Sequence, residues 1–178
     1  AEEVALAGSN VLQMCFTDPN QGQNAARLIA DKNLGQNIGI IYDSSDAYSA
    51  GIRDGFLAEA KNLGLNIVVD DAAFTADTKG TISNLVEKCK NAGCDMVFLP
   101  FYANEAVTVL QSAAAIDYKP VFFGCDGMDG ILSIDNFDTA MAEGLYMMTP
   151  LNPFDPDEKV QSFVQKYKDK VGDQNAVP

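Results

Sequence analysis

The sequence predicts an α/β protein, a doubly wound parallel sheet of about five strands with helices on both faces. Three observations lead there. Short runs of β-branched and aromatic residues alternate with longer stretches whose apolar residues recur at helical spacing. No internal repeat or low-complexity tract interrupts that alternation. The chain has 178 residues, 47% of them apolar, which suffices to cover one sheet on both sides. Continuous apolar strands separated by helices are the signature of parallel strands buried on both faces.

In chain order, residues 11–16 (Val-Leu-Gln-Met-Cys-Phe) can extend as a strand. Thr17-Asp18-Pro19 then reads as a helix start, with Asp18 as N-cap and Pro19 at the first helical position. Ala25, Ala26, Leu28 and Ile29 form that helix's buried side, and Gly35 ends it. Ile38-Gly39-Ile40-Ile41-Tyr42 is a buried strand. It runs through a short polar loop into a helix carrying Ile52, Phe56, Leu57 and Ala60 on one face and ending near Asn62, with Gly64 as C-cap. Ile67-Val68-Val69 is the next strand. Asp77 or Thr78 caps a helix bearing Ile82, Leu85, Val86 and Cys89, closed by Gly93. Met96 to Leu99 is a strand stopped by Pro100; Asn104 to Ala115 is a helix; Val121 to Phe123 is a strand. A short helix over 128–134, a strand over 145–148 and a helix from Asp157 to Tyr167 complete the series.

Composition excludes several functions. With 12 basic and 25 acidic residues the net charge is −13, which repels nucleic acid and anionic membrane surfaces. Histidine is absent, so histidine-based triads and most zinc sites are excluded. No apolar run approaches the ~20 residues that span a bilayer, and no basic segment precedes an apolar one as in a signal peptide. Taken literally, that points to the cytoplasm. The cysteines (Cys15, Cys89, Cys94, Cys125) lack metal-site spacing and read as buried thiols rather than disulfides.

Open parallel sheets bind ligands at the carboxyl ends of their strands. Those edges are residues 43–48, 74–77, 100–104, 124–130 and 149–154. The loop from Asp43 to Ser49 contains no glycine, and its carboxylates occupy the positive helix end where a phosphate would sit, so nucleotide binding is rejected. A receiver domain's acceptor aspartate would stand where Pro100 is. A metal-dependent hydrolase built on Asp43, Asp126 and Asp129 is the enzymatic alternative, since carboxylates suit hard cations, although no lysine or nucleophile motif accompanies them. Capture of a small polar molecule needs only aromatic walls and a few polar groups, and Tyr48, Tyr102 and Asp126 supply them. Each also has a plainer reading: Asp126-Gly127 as a turn pair, Tyr48 packed on the sheet edge, Tyr102 as a wall under the next helix. Asp43 and Asp46 read as caps rather than ligands.

Cys15 to Gly22 (CFTDPNQG), the Tyr42-to-Gly51 loop, Pro100-Phe101-Tyr102, Gly124-Cys125-Asp126-Gly127 and Glu143-Gly144-Leu145 together resemble, in order and spacing, the type I periplasmic-type solute-binding proteins of ABC transporters, in the branched-chain amino-acid (Leu/Ile/Val)-binding group. Nearly the whole chain resembles the second lobe of that family. The resemblance implies a single ligand-binding lobe over 1–178: an inter-lobe crossing segment and strand at 1–16, an α/β core at 17–170, and a tail toward the missing lobe at 171–178. It implies a non-catalytic binding component without cofactor, extracytoplasmic in the periplasm or as a cell-surface lipoprotein. Such a protein closes two lobes on an amino acid and docks on a membrane permease. Position by position, Asp126 matches the acid that pairs with the ligand ammonium, and Tyr48 and Tyr102 match the flanking aromatics. Ser49 joins them as a ligand-binding candidate. Some members carry Glu where Asp126 stands, and the family's Phe after the acid at Asp77 is replaced by Thr78. A sugar or signalling molecule is the alternative ligand, and exposed apolar residues at the former hinge leave a dimer of the isolated lobe open.

Overall fold

Ile38–Tyr42 is an apolar run with a β-branched bias, and with Asp43 it forms β1 (Ile38–Asp43), an interior strand of the sheet. The computed structural model describes residues 6–13 and 15–177. The other strands are β2 (Ile67–Phe74), β3 (Met96–Leu99), β4 (Val121–Gly124) and β5 (Tyr146–Met147). The helices are α1 (Asp18–Lys32), α2 (Ala47–Leu63), α3 (Ile82–Asn91), α4 (Ala103–Ala115) and α5 (Glu158–Val171). All five strands are parallel, in the order β2-β1-β3-β4-β5. No helix among the described residues is long and apolar enough to cross a membrane.

Successive strand residues point to opposite faces, and two cores result. On one face Ile38, Ile40, Met96, Phe98 and Phe123 pack under Ala25, Ala26 and Ile29 of α1 and Ile52, Phe56 and Ala60 of α2. Phe56 stacks on Phe98 at 4.3 Å between ring centroids. On the other face Ile41, Val97, Leu99 and Phe122 pack under Ile82, Val86 and Cys89 of α3 and Ala106, Val109 and Leu110 of α4. The sheet is therefore covered on both sides, as the sequence predicts.

Helices α1 and α2 approach each other at backbone contact. A Cβ on Gly22 would fall 2.0 Å from the Ile52 carbonyl oxygen, and one on Gly55 would fall 2.4 Å from that of Pro19. Only glycine at both positions permits this crossing.

Several boundaries differ from expectation. Thr17, not Asp18, caps α1, its Oγ1 accepting from Asn20 N at 3.3 Å. That helix ends at Asn33, which takes the left-handed conformation (φ 51°), before Gly35 is reached. β2 continues five residues past Val69 because Ala72 and Phe74 carry its buried pattern onward. Residues Ala76–Thr81 form a 3₁₀ segment ahead of α3, in which Thr78 Oγ1 accepts from Thr75 N at 2.7 Å. The stretch 128–134 holds only short 3₁₀ turns, Asp126–Met128 and Ile131–Ser133. β5 cannot begin at Leu145: Gly144 is left-handed (φ 79°) and the Leu145 amide is bonded to Ala142 O. Residues 11–13, 15 and 16 form no strand, and Met14 and residues 1–5 lie outside the described residues. Cys89, Cys94 and Cys125 are buried free thiols, whereas Cys15 is exposed.

The chain divides into two compact units, Ala1–Met148 and Thr149–Pro178. The sequence carries one α/β core to residue 170; the unit holding the sheet ends at Met148, ahead of a segment with Pro150, Pro153 and Pro156, which have no amide to donate. The second unit consists of that segment, with Phe154 exposed, and α5, whose Asp157 N-cap accepts from Lys159 N and Val160 N.

Candidate functional site

After β1 the chain turns toward β2, and after β3 it turns the other way toward β4, yet β1 and β3 are neighbours. A crevice opens at the carboxyl ends of strands where the winding reverses in this way. The loops after β1, β3 and β4 meet there.

The loop after β1 is built by its own side chains. Asp43 Oδ1 accepts from Ser45 N at 2.8 Å and from Ser45 Oγ at 2.6 Å. Asp46 caps α2, its Oδ1 accepting from Tyr48 N at 3.3 Å. Ser49 is fully buried and its Oγ accepts from Asp43 N at 2.9 Å. Its oxygen thus serves the turn after β1. Asp46 caps the helix as expected, whereas Asp43 bonds Ser45 within the turn instead of capping.

Capping α2 in this way sends Tyr48, in its first turn, across the sheet edge to the loop after β4. The Tyr48 hydroxyl donates to Asp126 Oδ1 at 2.6 Å and accepts from Gly127 N at 2.9 Å. Tyr102, which precedes α4, lays its ring on that of Tyr48, with centroids 5.0 Å apart and planes 21° from parallel. Gly127 lies against this pair: a Cβ there would stand 2.8 Å from the Tyr48 hydroxyl and 3.1 Å from Tyr102 Cδ1. The structure therefore gathers Tyr48, Tyr102 and Asp126 into one cluster, with Tyr102 about half exposed (49%) at its rim.

Gln21 completes the cluster and is absent from the candidates named above. It is 1% exposed. Its Nε2 donates to Asp126 Oδ1 at 2.9 Å, and its Oε1 accepts from Asp126 N at 2.7 Å. The available signal is its place in the helix: Gln21, Gly22, Ala25, Ala26 and Ile29 form the buried stripe of α1, and a polar side chain on such a stripe needs a partner.

The electrostatics are negative. Burial first, and then the hydrogen bond to Asp126, push the ionisation of Tyr48 far above the usual tyrosine range. Tyr102 is raised as well, by burial and by the charges of Asp46, Asp18, Asp126 and Glu105. Both rings are therefore neutral, set in a field that favours a cation. Asp43, Asp126 and Asp129 do not combine: among the described residues no group of three or more His, Cys, Asp or Glu is arranged to hold a metal. Asp129 instead accepts from Gly130 N at 3.1 Å.

A model of the family described as periplasmic binding protein matches residues 2–178. The chain belongs to the periplasmic binding protein family. Among its relatives, the Leu/Ile/Val/Thr-binding protein of Salmonella typhimurium is 32% identical over 142 residues, covering 80% of this chain and 38% of its own length. A solved structure of the leucine-, isoleucine-, valine-, threonine- and alanine-binding protein from Brucella ovis, in closed conformation, superimposes with a TM-score of 0.75 at 22% identity, over 89% of this chain and 40% of that one. A leucine binding protein from Thermotoga maritima gives 0.70 at 21%, over 89% and 44%. These two structural likenesses speak to the fold: the parallel five-stranded sheet is that of periplasmic binding proteins. The chain spans 38% of the length of its Salmonella relative.

Proposed function

We propose that this chain is the second ligand-binding lobe of an ABC-transporter solute-binding protein. It takes a small amino acid, of the branched-chain class, in a cleft shared with a partner lobe and carries out no reaction on it. The observation that carries this reading is the state of Asp126. Its Oδ1 already accepts from Tyr48 and Gln21, while Oδ2 takes no hydrogen bond from any described residue. A carboxylate so held, next to two stacked aromatic rings, suits a ligand ammonium: the carboxylate supplies the counter-charge and the ring faces add cation–π attraction. The names of the relatives, which bind leucine, isoleucine and valine, support the ligand class. The protein then works outside the cytoplasm, in the periplasm or as a surface lipoprotein, and its partner is the membrane permease.

The test is calorimetric titration of the full-length protein with L-leucine, L-isoleucine and L-valine, with Asp126→Asn in parallel. Saturable binding is expected, weakened in the variant by about 2–5 kcal/mol because the ammonium loses its charged partner. A flat response to a panel of amino acids, or an unchanged affinity in Asp126→Asn, would overturn it. The isolated lobe is expected to bind weakly, since half of the enclosing groups are missing while the entropic cost of capture is undiminished.

A further inference from the structure

We propose that Gln21 is a positioning residue for Asp126, a neutral clamp that aims the carboxylate at the ligand ammonium without discharging it. This rests on the reading of Asp126 as the ammonium's partner. Gln21 grips one residue at two points. Its amide oxygen takes the Asp126 backbone N–H at 2.7 Å, and its amide nitrogen holds Asp126 Oδ1 at 2.9 Å. Fixing the backbone amide and one carboxylate oxygen together fixes the side-chain rotamer between them, and with it the direction of Oδ2. Tyr48 alone would hold Oδ1 from one side and leave the carboxylate free to turn about that contact.

The clamp is itself anchored. Gln21 precedes Gly22, whose missing Cβ lets α1 sit against the Ile52 carbonyl of α2, and Gly55 makes the reciprocal contact with Pro19. Since α2 also carries Tyr48, the two groups that hold Oδ1 come from helices locked at backbone distance. Burial to 1% exposure removes water as a competing partner for the amide. Charge explains the residue type. A lysine or arginine here would neutralise Asp126 before the ligand arrived; a glutamate would repel it. Only a neutral group with one donor end and one acceptor end matches both Asp126 atoms while leaving the negative charge for the ligand.

The substitution Gln21→Glu turns this into a pH readout. When protonated, a glutamic acid side chain can still donate to Asp126 Oδ1 and accept from Asp126 N. When ionised, it has lost the donor and faces a like charge. Asp126 is in direct contact with Gln21; in the same cluster Asp126 and Cys125 act on Tyr48, and Asp46, Asp18, Asp126 and Glu105 act on Tyr102. The acids among them all favour the protonated form of an added glutamate.

The experiment measures L-leucine affinity of the full-length protein by calorimetry at pH 5 and pH 8 for wild type, Gln21→Glu and Gln21→Met, with melting temperatures alongside. Relative to wild type at the same pH, Gln21→Glu is expected to bind within about threefold at pH 5 and at least tenfold more weakly at pH 8. Gln21→Met, of similar volume but with no hydrogen bonds to give, is expected to be about tenfold weaker at both. If Gln21→Glu does not fold, Gln21→Met carries the test alone. Variants that melt earlier yet bind leucine within twofold of wild type at both pH values would make Gln21 purely structural and overturn the proposal. Failure of the wild-type protein itself to bind leucine would instead bring down the reading of the site, and this inference with it.

Discussion

The Tyr48 hydroxyl donates to Asp126 Oδ1 at 2.6 Å while accepting the Gly127 amide at 2.9 Å, joining the first turn of α2 to the loop after β4. Both capacities of the hydroxyl are thereby engaged within the protein. What Tyr48 has left to offer a ligand is the face of its ring, extended by the stacked ring of Tyr102. Its role divides in two: the oxygen shapes the loop and the ring walls the site.

That bond makes alkaline stability informative. Burial and the contact with Asp126 raise the ionisation of folded Tyr48 above its unfolded value of about 10. The stability this contributes is complete below pH ~10 and is lost as pH rises beyond it, because the unfolded chain releases the proton first. Tyr118 and Tyr102 shift in the same direction, each chiefly through burial. Melting temperature measured from pH 8 to 11 should therefore fall above pH ~10. Tyr48→Phe should start lower, by about 1–2 kcal/mol for the unpaired Gly127 amide and the lost donor, and then fall less steeply. Parallel curves would show that Tyr48 does not contribute to the loss.

The α1–α2 crossing gives a second prediction. Gly22→Ala and Gly55→Ala place a methyl group 2.0 Å and 2.4 Å from backbone oxygens, which cannot move aside as a side-chain tip can. Each should cost about 1–3 kcal/mol or more in urea denaturation. Gly80→Ala is the internal control, since its Cβ would meet nothing within 4 Å and its φ is not positive. It should be neutral or stabilising by up to ~1 kcal/mol. Equal losses at all three positions would mean that the crossing is not a close backbone contact.

Thiol chemistry follows from burial. Cys15 is exposed, while Cys89, Cys94 and Cys125 are buried, with Gly39 leaving the space that the Cys89 and Cys94 sulfurs occupy. Burial also drives the ionisation of Cys125 upward, which keeps it in the unreactive thiol form. Maleimide labelling followed by mass spectrometry should find Cys15 modified in the native protein, and the other three only after denaturation. Rapid native labelling at Cys125 would contradict the packing under α1 and α2.

Strands and helices were legible because their signal is local. The apolar runs at Ile38, Met96 and Val121 and the 3.6-residue stripes of α2 and α4 state their own periodicity. Boundaries were less legible where a neighbour's hydrogen bond decides them: Thr17 outcompeted Asp18 as cap, and the Leu145 amide was taken by Ala142. At the site, Tyr48, Tyr102 and Asp126 could be named from their places at strand ends. That the Ser49 oxygen accepts the Asp43 amide depends on the turn the chain makes there, which residue type alone does not state.

The loop that follows β1 shows the division plainly. The sequence alone determined that it ends a buried strand, that its aspartates would cap and turn the chain, and that its lack of glycine is unsuited to phosphate. All of these follow from residue types within a few positions of one another. Only the tertiary structure decided that Tyr48 reaches Asp126, that Tyr102 stacks on the Tyr48 ring, and that Gln21 closes around the same carboxylate from a fourth segment, α1. The two hydrogen-bonded contacts join residues 78 and 105 positions apart, and the cluster exists because strand order and the Gly22–Gly55 crossing bring four distant segments to one edge. Local pattern carries no record of that distance.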